Sequence, residues 1–392
     1  MKLTSHRHTI VASCAGYAVQ AVVNIYAPLL FLTFRSEFGI PLEKITFLIT
    51  LNFITQLTVD LLSAKVVDRL GYRVCAVLAH ALAVLGLAAL AILPDLLPDP
   101  FTGLLIATFL CACGSGVIEV LITPVVESCP TKNKAAVMSL AHAAYCGGSV
   151  LVIVLSTLFF NAFGTGAWRT LTLLWAVLPF LNLIYFLFVP LYPLVKEGKG
   201  MALSALLKTP VFWLFFLFML CAGASELAMS QWVSAFAESA LGVSKTLGDL
   251  FGAALFAVFM GSARLYYAFG KHDLQRSLIV SASLCILSYG LAAFSPWPAL
   301  SLAGCALCGF SVGAMWPGTL SLASRRLPRG GNAMFALLAM AGDVGCTSGP
   351  TLVGLVAPFF ANGLKASLAA AMAFPAILLT ALLLGRKALS EA

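Results

Sequence analysis

Apolar stretches of roughly twenty residues follow one another along nearly the whole chain, separated by short polar breaks. The hydrocarbon core of a bilayer is about 30 Å thick and takes about 20 helical residues to cross. Measured by that ruler, twelve spans fall at roughly 9–34, 45–67, 74–94, 101–127, 135–161, 168–190, 209–237, 248–269, 276–294, 299–323, 332–360 and 365–385. Composition points the same way: 61% of the 392 residues are hydrophobic and only 10% are charged. A soluble domain averages about 25% charged residues, so too little polar material is present to coat a soluble surface. The chain reads as an all-α integral membrane protein.

The lysines and arginines give the orientation. With the N-terminus in the cytoplasm, eighteen of the 23 fall in inner segments and five in outer ones. That bias matches cytoplasmic loops facing anionic lipid. It also accounts for the net charge of +8 without nucleic acid. Both termini are then cytoplasmic, and the membrane expected is a bacterial inner membrane. The basic start "MKLTSHRH" precedes an apolar stretch longer than a signal peptide's, so it reads as a retained first span. The eleven cysteines lie in or at the ends of apolar segments, which argues against a disulfide framework. Cys111-x-Cys113 and Cys305-x-x-Cys308 sit beside small residues without histidine, so they read as helix-packing thiols rather than metal ligands.

The longest polar break, "YPLVKEGKGMALSALLKTP", divides the chain into residues 1–192 and 209–392, joined by a cytoplasmic linker at 193–208. The halves echo each other. In each, the fourth span runs glycines, a membrane proline, a basic loop and then an Ala/Met/Leu-rich helix with glycines. Repeated six-helix units are the sequence signature of a secondary transporter.

At "VVDRLGYR", Val66 to Arg73, the chain resembles the loop signature of the major facilitator superfamily, with Ala64 where the family begins with Gly. A looser echo, "GSARLYYAFGKH", follows the eighth span. The resemblance implies two pseudo-symmetric six-helix bundles. Within the superfamily, Gly114, Gly116, Glu119 and Pro124 resemble the fourth span of the fucose permease type of sugar:proton symporter. His142 and Tyr145 stand where that type presents a Gln and an Asn to the sugar, and Asn24 stands where its first span carries an acid.

Individual polar residues carry the rest. A carboxylate in mid-membrane costs ~2.5 kcal/mol or more and normally faces the bundle interior or a wet cavity. Desolvation favours the neutral form of a carboxyl, so such a group can take and release protons. Glu119 is the first candidate for proton coupling, with Glu226 and Asp343 beside it; the plainer alternative for Glu119 is a protonated side chain that only bonds a neighbouring helix. His142, Tyr145 and Ser149 share one face of the fifth span. They read either as a sugar- or proton-handling face or as a histidine tied to a backbone carbonyl. Asn52, Gln56 and Asp60 share a face of the second span, within reach of Gln20, Asn24 and Tyr26. Gln231, Trp232 and Trp316 are further candidates for lining a substrate site, the tryptophans by stacking on a sugar's apolar face or simply as packing. Asp60, Asp68, Arg69 and Arg264 read as conformational latches.

No phosphate-cradling loop, HExxH or paired CxxC occurs, which removes ATP-driven transport and the common metal-site motifs. No cofactor is expected, and the chain is not read as an enzyme. The expectation is a monomeric carrier working by alternating access, with protons, a small-molecule substrate and the lipid bilayer as its partners. Proton-coupled symport of a sugar or polyol leads. The rivals are a proton-coupled exporter of amphiphilic compounds, an uncoupled facilitator, and a membrane sensor or structural protein.

Overall fold

The computed structural model describes residues 5–131, 134–192, 203–269, 273–360 and 363–385, and every regular element among them is helical. Among the described residues, helices stand at all twelve expected spans. The first six are α1 (His6–Phe38), α2 (Leu42–Leu70), α3 (Tyr72–Leu96), α4 (Pro100–Glu127), α5 (Lys134–Phe163) and α6 (Trp168–Phe188). The second six are α7 (Pro210–Ser230), α8 (Lys245–Tyr267), α9 (Leu274–Phe294), α10 (Pro298–Arg326), α11 (Gly331–Val356) and α12 (Leu364–Leu384). Eleven are long and apolar enough to cross a membrane by composition alone. The other, α11, has 26 residues and is diluted by its glycines and Asp343.

Prolines accompany the breaks in α1, α10 and α12. A proline inside a helix removes one hydrogen bond, and its ring clashes with the carbonyl four residues earlier. The first segment of α10 ends at Gly313, four residues before Pro317, and that of α12 at Ala371, four before Pro375. In α1 the regular helix ends at Ile25, just ahead of a 3₁₀ turn over Ala27–Leu30 that contains Pro28. The α7 helix breaks at Gln231 and Trp232 without a proline and resumes as Val233–Leu241.

The contacts divide the chain into two compact units, Met1–Lys196 and Glu197–Ala392. Each unit repeats one plan. In the first, α4 packs along α2 and α3, and α1 along α5; in the second, α10 packs along α8 and α9, and α7 along α11. Close backbone approach depends on glycine at the tightest seams. A Cβ on Gly114 of α4 would lie 2.6 Å from the Ala79 carbonyl oxygen of α3. On the α7–α11 seam, a Cβ on Gly345 would collide with the Leu220 carbonyl, and one on Gly223 with that of Gly342.

Two arginines hold the ends of the first unit. Arg73, in the first turn of α3, donates to the carbonyls of Phe186 (2.8 Å), Leu187 (2.7 Å) and Val189 (2.9 Å), capping α6. At the opposite end, Arg169 grips Asp95 through two bonds of 2.5 and 2.7 Å and meets Glu37 at 2.6 Å. The guanidinium carbon of Arg169 also lies 4.4 Å from the centroid of the Trp168 ring.

Candidate functional site

Among the described residues, one polar cluster in each unit gathers acids expected to lie within the membrane. The first is a seam between α1 and α4. Tyr17, Gln20 and Asn24 recur at three- and four-residue intervals along α1, and Ser115, Glu119 and Thr123 do so along α4, so each set lies on one face. The helices run antiparallel and the two faces meet rung by rung. The hydroxyls of Tyr17 and Thr123 lie 3.1 Å apart, and the Gln20 amide donates to the Glu119 carboxylate at 2.8 Å. The third rung passes through α2: Gln56 donates to the Asn24 side-chain oxygen at 3.0 Å and accepts from the Ser115 hydroxyl at 3.2 Å. Asn52 reaches the same Asn24 oxygen at 3.5 Å.

The small residues of α4 make this seam possible. Gly116 admits α2, because a Cβ there would come within 3.1 Å of both Val59 and the Asp60 carboxylate. Gly16 of α1 receives the Ile122 side chain of α4. Gln20, Asn24, Gln56 and Ser115 are buried, while Glu119 is half-buried.

The second cluster involves four spans of the second unit. Glu226 of α7 meets Arg264 of α8 at 3.5 Å. Gly313 of α10 packs against Met260 and Ala263, the residue before Arg264. Trp316, one turn along α10, lays its six-membered ring on Gly342 of α11, next to Asp343. Gly342 in turn abuts Gly223 of α7, one turn from Glu226, so contacts run round all four helices.

Asn24, Asn52, Gln56 and Glu119 thus come together around α1, as do Glu226 and Arg264 in the other unit, with Asp343 and Trp316 on neighbouring spans. Tyr145 is half-buried on α5, one turn from Gly148, which packs on Ala18 of α1; the Ser149 hydroxyl is used on the Tyr145 carbonyl. Others are committed to packing. The Tyr26 hydroxyl is buried against Trp168 O and the Thr172 hydroxyl, both at 2.9 Å, tying the break in α1 to α6. The Trp232 indole N–H donates to the Pro350 carbonyl at 2.9 Å, tying the break in α7 to α11, and Gln231 is buried beside it. Arg69 is exposed, and the His142 and Asp68 side chains lie outside what the structure describes.

Gln20, read only as within reach of the second span, bonds Glu119, while Asn24, which stands where the resembled family carries an acid, holds Gln56. The four-residue spacing Gly16, Gln20, Asn24 was the available signal. Also missed was Asp249, fully buried in a π-helical turn of α8 between the Ser234 hydroxyl at 2.5 Å and the Lys245 ammonium at 3.1 Å. His80 of α3 is a packing histidine: its Nδ1 bonds the Ala76 carbonyl and its Nε2 lies 2.8 Å from the Asn182 amide nitrogen.

Comparison with known proteins places this architecture. The sequence profile described as Major Facilitator Superfamily matches residues 11–350. Among solved structures, a bacterial homologue of the human lysosomal transporter Spinster, inward-facing and unoccupied, superposes with a TM-score of 0.78 at 14% identity, over 97% of each chain. A nucleoside transporter gives 0.73 at 13% identity, over 98% of this chain and 99% of that one. The Escherichia coli fucose:proton symporter gives 0.67 at 15% identity, over 99% of this chain and 100% of that one. No curated protein matches the sequence.

Proposed function

The chain belongs to the major facilitator superfamily, a family of membrane transporters, and from that premise we propose a proton-coupled carrier of a small polar solute, a sugar or related polyol, working by alternating access. The observation that carries this reading is the Gln20–Glu119 bond on the α1–α4 seam, one turn from the Asn24–Gln56–Ser115 network. A glutamine side chain offers both N–H donors and a carbonyl acceptor. It can therefore donate to Glu119 as a carboxylate and accept from it as a carboxylic acid. Glu119 keeps a partner in both protonation states, which a group that loads and unloads a proton requires. The neighbouring amides and hydroxyl supply the donors and acceptors that solute hydroxyls would otherwise lose on leaving water. The fucose:proton symporter among the structural relatives fits this class of solute. The lysine and arginine bias supports both termini in the cytoplasm of a bacterial inner membrane.

The test is uptake into proteoliposomes of labelled sugars, polyols and lipophilic cations, with and without an imposed proton gradient. Wild type accumulates a polyhydroxylated solute only with the gradient, and Glu119→Gln loses that dependence. Undiminished gradient-driven accumulation by the variant would end the proton role of Glu119. Competition by a lipophilic cation with no competition by any sugar would replace the solute class.

A further inference from the structure

The α1–α4 seam continues past Glu119 toward the N-terminal end of α1. Ser13 stands four residues before Tyr17 and extends the face of Tyr17, Gln20 and Asn24 by one more turn; on α4, Glu127 stands four residues after Thr123. Because the helices are antiparallel, Glu119, the Tyr17–Thr123 pair and Ser13 follow one another toward the end of the unit that the charge bias assigns to the cytoplasm. Glu127 closes α4 at that end and is exposed. Two oxygens on this stretch are enclosed without a partner. The Ser13 hydroxyl is 0% exposed and has no hydrogen-bond partner among the described residues. Ser149, Thr157 and Ser225 each spend a hydroxyl on the carbonyl four residues back, and Ser13 makes no such bond. The Asn182 nitrogen of α6 bonds the Ala12 carbonyl at 3.1 Å and lies 2.8 Å from His80 Nε2, while its side-chain oxygen is buried without a partner beside the same turn of α1. Both oxygens can accept from water, and enclosed polar groups of this kind are where proteins hold internal water.

Building on the proton-coupled reading above, we propose that this inner half of the seam is the route by which Glu119 exchanges its proton with the N-terminal face of the membrane, relayed by the hydroxyls of Tyr17, Thr123 and Ser13 through internal water. A hydroxyl both donates and accepts, so it can take one proton and release another. The Tyr17 and Thr123 hydroxyls are already 3.1 Å apart. About one helical turn, roughly 5.4 Å, separates their rung from Glu119 on one side and from Ser13 on the other, a gap that one water spans. On unloading, protonated Glu119 gives its proton to the first water and becomes a carboxylate. Each oxygen along the line takes a proton from its neighbour and passes on its own, and one proton leaves beyond Ser13. Loading runs the same line in reverse, and an apolar side chain at any of the three positions interrupts it.

The experiment follows Glu119 itself and needs no solute. Purified full-length protein is reconstituted into vesicles that are sorted by whether a tag on the N-terminus is accessible, so that a photoreleased proton pulse in the outer medium reaches one known face. Protonation of Glu119 is read as the rise of the infrared carboxylic-acid C=O band that Glu119→Gln removes. Ser13→Ala, Tyr17→Phe and Thr123→Val each slow that rise roughly tenfold when the pulse comes from the N-terminal face, and leave it unchanged from the opposite face. Thr123→Ser, which keeps the hydroxyl, loads at the wild-type rate. A merely structural disturbance would slow loading from both faces. The relay is overturned if the three variants load at the wild-type rate from the N-terminal face, or if they slow equally from both. A Glu119 band that never responds to the pulse ends the proton reading and the relay with it; a band that responds equally in wild type and the three variants ends the relay alone.

Discussion

In the first unit the α1–α4 seam sets one carboxyl group among amides and hydroxyls, whereas the second unit sets a carboxylate of α7 against a guanidinium of α8. The two arrangements respond differently to a proton. Gln20 can turn from donor to acceptor and stay bonded when Glu119 is protonated. Arg264 has only donors, so a protonated Glu226 loses the charge that holds this contact. An amide-lined carboxyl suits a group that changes charge in place. An arginine-lined carboxylate suits a group that stays charged. The contrast is the reason proton handling is proposed for Glu119 rather than Glu226.

The strongest way to break that assignment is at Glu119. Glu119→Gln should lower the ratio of gradient-driven to passive uptake by about 100-fold (about 2.8 kcal/mol by the tenfold-per-1.4 kcal/mol scale). Gln20→Arg sharpens the point, because it gives the first unit the chemistry of the second while leaving the carboxyl in place. Accumulation should fall about as far as in Glu119→Gln, since a donor-only partner favours the charged form. Normal coupling in this variant would show that the amide is dispensable.

Smaller effects test the scaffold beneath the clusters. Gly345→Ala drives a methyl into the Leu220 carbonyl on the α7–α11 seam and should cost about 1–3 kcal/mol, read as a lower unfolding temperature. Arg169→Gln dissolves the clasp to Asp95 and Glu37, with Arg169 28% exposed and both acids more so. Exposed ion pairs contribute ~1 kcal/mol or less, so stability should fall slightly while solute affinity, measured by uptake kinetics, stays put. A change in solute selectivity in Arg169→Gln would show that this clasp does more than hold the end of the first unit.

How much could be read from residues alone varied with the range of the interaction. The spans and the face shared by Asn52, Gln56 and Asp60 follow from apolar length and local periodicity. Glu119 drew notice because a carboxylate is costly in an apolar run. Tyr26 and Trp232 also looked like candidates, since each carries a polar tip on an apolar body. Their partners, Trp168 O and Pro350 O, lie 142 and 118 residues away, and no local pattern announces that the tips are already used. Arg73 went unremarked within the loop signature, yet it caps α6, 113 to 116 residues further on.

By itself, then, the sequence determined that this chain crosses the membrane twelve times in two related halves, because apolar length and charge bias act residue by residue against lipid and water. It also marked the carboxylates whose burial needs a reason. Which partner each receives was decided only by the tertiary structure. A helix's periodicity says which residues share a face, but how far the helix is rotated and slid against a distant neighbour depends on packing around glycines such as Gly116 and Gly342. That packing brought Gln20 rather than Asn24 to Glu119 and set Glu226 against Arg264, making one carboxyl the partner of an amide and the other the partner of a permanent cation.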